Sequence, residues 1–167
     1  RLLEHDWSDV SLYPTYESMG LRTPIRAAIA ACGLVAPCAL QQRSIVPMRD
    51  GRDVLALLRP TTSTGNDFCR EVAAMAIGLL AAVDPADVHC QALVLCSSPM
   101  QARVVTDVVR ELSRGLGIGI GKLGPPGGLT GAGSTTQLVI STADETHDVE
   151  QTQAALGGTN DDARPAC

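Results

Sequence analysis

The densest chemical signal in the sequence is a glycine run, Gly115 to Gly124, in which Gly119, Gly121 and Gly124 satisfy G-x-G-x-x-G and Lys122 offers an ammonium. Glycines at that spacing let backbone amides close on a phosphate, provided the turn opens directly into a helix whose N-terminus holds the charge. Pro125 and Pro126 follow at once and deny that helix. Nor does the run fit a phosphate-cradling loop that ends in lysine and a hydroxyl, because Leu116 stands where its first glycine belongs and Leu123 where its magnesium-binding hydroxyl belongs. Thiols and imidazoles are no better placed. Cys32, Cys38, Cys69, Cys90, Cys96 and Cys167 form no C-x2-C pair. They signal neither a metal site nor a disulfide framework, and read most simply as buried thiols in a reducing compartment. His5, His89 and His147 each lack a serine or cysteine and a carboxylate at catalytic spacing, so they read as structural residues.

The elements that would carry any site can be read from the apolar pattern. The chain has 167 residues, 45% of them hydrophobic, and only four aromatics, Trp7, Tyr13, Tyr16 and Phe68, so its core must be built of Ala, Val, Leu and Ile. Thirteen basic against 18 acidic residues give a formal charge of −5. That is the wrong sign for a protein living on a phosphate backbone. No apolar run reaches a membrane span and no signal segment opens the chain, so it is expected to be cytoplasmic. It begins with Arg1, which fits a piece of a longer polypeptide.

Residues 1 to 22 read as an irregular lead-in. Thr23 as N-cap, Pro24 at the first helical position and Gly33 as a left-handed stop predict a helix over 24–32. A second helix opens at Pro37 and ends near Asp50-Gly51. The continuous apolar run Val54 to Leu58 predicts a strand buried on both faces. Phe68 to Val83 has helical spacing and stops at Asp84-Pro85. Ala92 to Cys96 then reads as a strand, with Ser98 capping and Pro99 opening a helix that reaches Gly115. A glycine-diluted strand within 116–123 and another over Gln137 to Ser141 flank a loose loop, and the last residues, 151–167, form a flexible tail. Strands alternating with helices predict an α/β sheet with right-handed crossovers.

A more specific pattern begins at Tyr16. Gly33 stands 17 positions after it, and Pro37, Leu40 and Gln41 follow in register. The segment Y-E-S-M-G-L-R-T-P-I-R-A-A-I-A-A-C-G-L-V-A-P-C-A-L-Q-Q-R-S-I-V-P resembles the start of a DEAD-box RNA helicase, with particular likeness to the helicase of eukaryotic translation initiation. The lead-in H-D-W-S-D-V resembles the segment before that family's core. The resemblance implies a RecA-like, P-loop NTPase-type first domain over residues 23–150, three-layered, with a mostly parallel sheet and helices on both faces. In the family, the aromatic residue stacks on adenine and the glutamine amide reads the adenine edge. Tyr16 and Gln41 are therefore candidate adenine contacts; Gln41 reads equally well as a residue that merely opens a helix.

Set against the family, the phosphate machinery has changed. Its A-x-x-G-x-G-K-T loop corresponds to Leu58, Arg59, Pro60, Thr61, Thr62, Ser63, Thr64 and Gly65, with Thr64 in place of the lysine. A shift of two residues puts Asn66 there and Asp67 in place of the threonine. Neither register offers an ammonium to a triphosphate, and Asp67 repels one. The family's P-T-R-E-L-A becomes Ser97, Ser98, Pro99, Met100, Gln101 and Ala102, and its T-P-G-R becomes Thr142, Ala143, Asp144 and Glu145, which reverses the charge facing RNA. The D-E-A-D strand is expected beyond about residue 160, and Asp161-Asp162 does not replace it, so the domain is expected to be incomplete.

These departures predict a catalytically inactive, structural or protein-interaction domain whose partner is another protein or a larger parent polypeptide, equally well a diverged cellular paralogue or a domain captured by a virus. Specific RNA binding is not expected, and ATP with magnesium is expected only if the vestigial site survives. The rival readings are a regulatory nucleotide- or RNA-binding pseudo-helicase and an active ATPase.

Overall fold

In a computed structural model, the structure describes residues 12–57, 66–124, 128–130 and 136–142. The elements run α1 (Thr23–Ala31), α2 (Ala39–Arg49), α3 (Asn66–Ala82), β1 (Ala92–Cys96), α4 (Pro99–Leu112), β2 (Ile120–Gly124), β3 (Gly128–Thr130) and β4 (Leu138–Thr142). They fall into two compact units, one within Arg1–Ala82 and Val108–Leu116, the other within Val83–Asp107 and Gly117–Cys167.

The first unit is helical. α1 begins one residue before the expected position, because the carbonyl of Arg22 accepts the first helical bonds, from Ile25 and Arg26, leaving Arg22 rather than Thr23 as the N-cap. Its end follows the sequence closely. Gly33 adopts φ +71°, its amide bonds Ala30 and that of Leu34 bonds Ile29, a reciprocal closure open to a glycine at no steric cost. α2 closes the same way at Gly51, but it opens at Ala39 rather than Pro37, with Cys38 as N-cap. α3 packs on both α1 and α2. The core is Met19, Ile25, Ile29, Ile45, Ile77 and Leu80, each contributing about 1.5–3 kcal/mol by leaving water. Where α2 meets α3 there is no room for a side chain at Gly78, whose added Cβ would lie 2.9 Å from the Cβ of Met48.

The second unit is a four-stranded sheet in the order β1-β4-β2-β3. β4 runs parallel to β1 and β2, in the registers Leu93↔Val139 and Gly121↔Val139, and β3 pairs antiparallel to β2. The α/β class and the mainly parallel sheet are those expected. As the central strand, β4 is buried along its whole length. Gln137, also buried, leads into it: its Oε1 accepts from the amide of Gly119 at 2.7 Å, while Gly119's carbonyl accepts from the amides of Gln137 and Leu138.

Three expectations are corrected. Val54 to Leu58 is not a strand over its described part: residues 52–57 are irregular, and Leu55 and Leu57 are 85% and 87% exposed. A parallel strand exists only through its neighbours' hydrogen bonds, and none of the four described strands pairs with this segment. Conversely, the glycine-rich loop contains a strand, β3, whose three residues, Gly-Leu-Thr, are too few to show an alternation in the sequence. The helix expected to run to Gly115 ends at Leu112, followed by positive φ at Gly115 and Gly117. Residues 1–11 and the tail 151–167 lie outside the described residues. Among the described residues, no helix is long and apolar enough to cross a membrane.

Candidate nucleotide site

Gln41 is placed by the start of α2. It is the third residue of the helix, and its Oε1 reaches back 2.9 Å to the amide of Cys38, while the Cys38 side chain accepts from the Gln41 amide. This is the reciprocal box usually made by serine and glutamate. Tyr16 is placed by a tight turn. Ser18 Oγ donates to the Thr15 carbonyl at 2.7 Å and the Ser18 amide donates to Thr15 Oγ1 at 3.2 Å, which closes the chain around Tyr16. Both ends of this segment are tied to α2: the Tyr13 amide donates to the Gln42 carbonyl, and Arg49, paired with Asp50, donates to the Met19 carbonyl.

The structure brings the two candidate residues into contact. Tyr16 donates its phenolic hydroxyl to Gln41 Oε1 at 2.9 Å, with Tyr16 4% and Gln41 1% exposed. Gln41 Nε2 donates to the carbonyl of Arg70 on α3 at 3.2 Å. The amide thus accepts twice and donates once, all within the first unit, and joins three segments. Burial, then the neighbouring Cys38, pushes the Tyr16 phenol up to about 12, against an opposing pull from Arg70. A neutral, hydrogen-bonded phenol is the result. An adenine seeking the amide edge of Gln41 meets groups already engaged with protein. The sequence contained a signal for part of this arrangement, since C-x-x-Q has the spacing of a capping box; the Arg70 carbonyl had none.

The other expected site residues stand at helix starts, at the end of a strand or outside the described residues. Pro60, Thr61, Thr62, Ser63, Thr64 and Gly65 fall outside the described residues, and Asn66 and Asp67 open α3. Ser97, Ser98 and Pro99 form the N-terminal cap of α4. Ser98 Oγ accepts from the Gln101 amide at 3.3 Å, and Gln101 Oε1 in turn accepts from the Ser97 hydroxyl at 2.6 Å. Thr142 ends β4 and is buried. Asp144 and Glu145 fall outside the described residues. The thiols of Cys32, Cys90 and Cys96 are pushed up by burial, which disfavours the thiolate. His89 is exposed and pairs with Asp87, whose carboxyl is held low chiefly by the His89 amide. Among the described residues, no cluster of three His, Cys, Asp or Glu side chains is placed to hold a metal.

No family model matches the chain. In sequence it is similar to the ATP-dependent RNA helicase FAL1 of Meyerozyma guilliermondii, 35% identical over 103 residues that make up 62% of this chain and 24% of that protein. It is likewise similar to eukaryotic initiation factor 4A-8 of Nicotiana tabacum, 35% identical over 107 residues, 64% of this chain and 24% of that protein. The chain therefore spans about a quarter of the length of the curated relatives it matches. Among solved structures, S. cerevisiae Dbp5 bound to RNA and ADP BeF3 superposes with a TM-score of 0.67 at 20% identity, covering 84% of this chain and 35% of that one. A DEAD box protein from Methanococcus jannaschii gives 0.61 at 18% identity, covering 86% and 47%. At these identities the structural likeness concerns the fold.

Proposed function

Because the chain is homologous to the DEAD-box RNA helicases and has their RecA-like fold, we propose that it is a helicase-derived domain without phosphoryl-transfer activity, acting as a structural or protein-interaction module of a larger polypeptide or assembly. The observation that carries this reading is the stretch Leu58 to Asp67, which contains no lysine. Catalysis of phosphoryl transfer consists almost entirely of positioned charge around the transferring group, and at the positions of the family's lysine this stretch has Thr64 or Asn66, its one cation, Arg59, standing five residues or more before them. Asp144 and Glu145, where a phosphate-binding arginine is expected, point the same way. So does the occupied amide of Gln41.

The test is phosphate release from ATP with magnesium, with and without RNA. Release at the level of a no-protein blank in both arms is the expected result; RNA-stimulated release above it overturns the reading. A second reading, adenine binding without turnover, is favoured by one observation, the survival of Tyr16 and Gln41 in register. It requires ATP to bind at equilibrium and Gln41→Ala to abolish that binding.

A further inference from the structure

Charge is arranged unfavourably at the start of α1. Its N-cap is Arg22, no side chain caps its amides and its first turn holds no acidic residue, although the macrodipole favours an anion at that end and disfavours cations. Arg22 and Arg26 both stand there, four residues apart, and Arg22 is held by donating to the Leu80 carbonyl at 3.0 Å. Between them lies Thr23, the first residue of the helix, which is exposed and whose hydroxyl caps nothing. Arg26 is turned onto that hydroxyl: its Nη2 donates to Thr23 Oγ1 at 3.3 Å. Nε lies on the same edge of the planar guanidinium as Nη2. That Nε is buried and has no hydrogen-bond partner among the described residues. A buried donor left unpaired is costly, and one hydroxyl oxygen cannot serve both N–H groups of the edge.

We propose that Thr23 is a phosphorylation site whose phosphate is received by Arg26. The sequence agrees with the geometry: T-P-I-R sets a proline directly after the threonine and a basic residue three positions after it, the arrangement that proline-directed protein kinases accept. In the transfer, Thr23 Oγ1 bonds to the γ-phosphorus of ATP and the bond from that phosphorus to the β-phosphate oxygen breaks. ADP leaves, and the hydroxyl proton passes to the kinase's base. The phosphate brings about −1.5 to −2 charges at neutral pH and three acceptor oxygens. Two of those oxygens match Nε and Nη2 in the bidentate fork that arginine forms with phosphate, and the charge answers both arginines and the helix dipole together. The only other serine or threonine followed by proline is Ser98, and it lacks these features. Gln101 stands three positions after it, and its Oγ is occupied as the cap of α4, accepting from the Gln101 amide.

The experiment incubates the 167-residue chain with a cyclin-dependent kinase, ATP and magnesium, and places the phosphate by mass spectrometry. Modification of Thr23 is expected, with none at Ser98 and none in Thr23→Ala. The phosphorylated chain is then melted beside the unmodified one. Its thermal midpoint is expected to rise by about 2–4 °C. In Arg26→Gln, phosphorylated to the same extent by longer incubation, the rise is expected to be clearly smaller, which distinguishes a phosphate held by Arg26 from one that only decorates the surface. Thr23 left unmodified, phosphate placed at Ser98 instead, or a phosphorylated chain whose midpoint is unchanged or lowered overturns the proposal. A rise in Arg26→Gln equal to that of the wild type overturns the part assigned to Arg26.

Discussion

Tyr16 differs from phenylalanine by one oxygen, and that oxygen donates to Gln41 inside the first unit. Tyr16→Phe leaves Gln41 Oε1 still accepting from Cys38, so about 0.5–1.5 kcal/mol of unfolding free energy should be lost. Gln41→Ala strips partners from the Tyr16 hydroxyl, the Cys38 amide and the Arg70 carbonyl together, and should cost about 2–4 kcal/mol; urea unfolding of the two variants checks the order. The pH dependence separates them further. A phenol whose folded-state pKa lies above its unfolded value contributes its full stabilisation below the unfolded value and loses it as pH rises through the folded one. With Tyr16 raised from 10.0 to about 12, wild-type stability should fall more steeply than that of Tyr16→Phe across that alkaline window, as alkaline urea titrations would record. That these two residues belong to one site was implied by the resemblance to the helicase family; their bond to each other was not read from the sequence. Nor was the use of the pairing, because a sequence gives the distance between residues along the chain and not which lone pairs are already filled.

Between elements, the contact with least tolerance is α2 against α3 at Gly78. Alanine there gains about 1 kcal/mol of helix propensity but sets a methyl group 2.9 Å from the Met48 Cβ and 2.7 Å from its Cε. Overpacking of that kind costs about 1–3 kcal/mol. Gly78→Ala should therefore lower the thermal midpoint, and Met48→Ala in the same chain should relieve part of the loss by removing the Cε contact. Helix ends were the most readable elements, because Gly33 and Gly51 mark a positive φ that other residues rarely adopt. Strands were less so. V-L-A-L-L at Val54 to Leu58 records apolar character but not the neighbour a parallel strand needs, whereas A-L-V-L-C at β1 has that neighbour in β4. β3 was invisible for the opposite reason: backbone pairing with β2 holds residues whose side chains show no period.

For the molecule as a whole, the formal charge of −5 has the sign that repels a polyanion. RNA affinity at physiological salt should be no tighter than about 10⁻⁶ M and, with few phosphate contacts, nearly flat in salt; a filter or fluorescence titration at two ionic strengths tests both statements. The division into two units also sets what light can see. Trp7, Tyr13, Tyr16 and Phe68 all fall within the span of the first unit, and the second has no aromatic side chain at all. Emission from Tyr13 and Tyr16 therefore follows the first unit and is blind to the sheet. Peptide absorption in the far ultraviolet follows both. A denaturation curve drawn from tyrosine fluorescence is a curve for the helical unit, and its agreement with the far-ultraviolet curve becomes a direct measure of whether the two halves melt together.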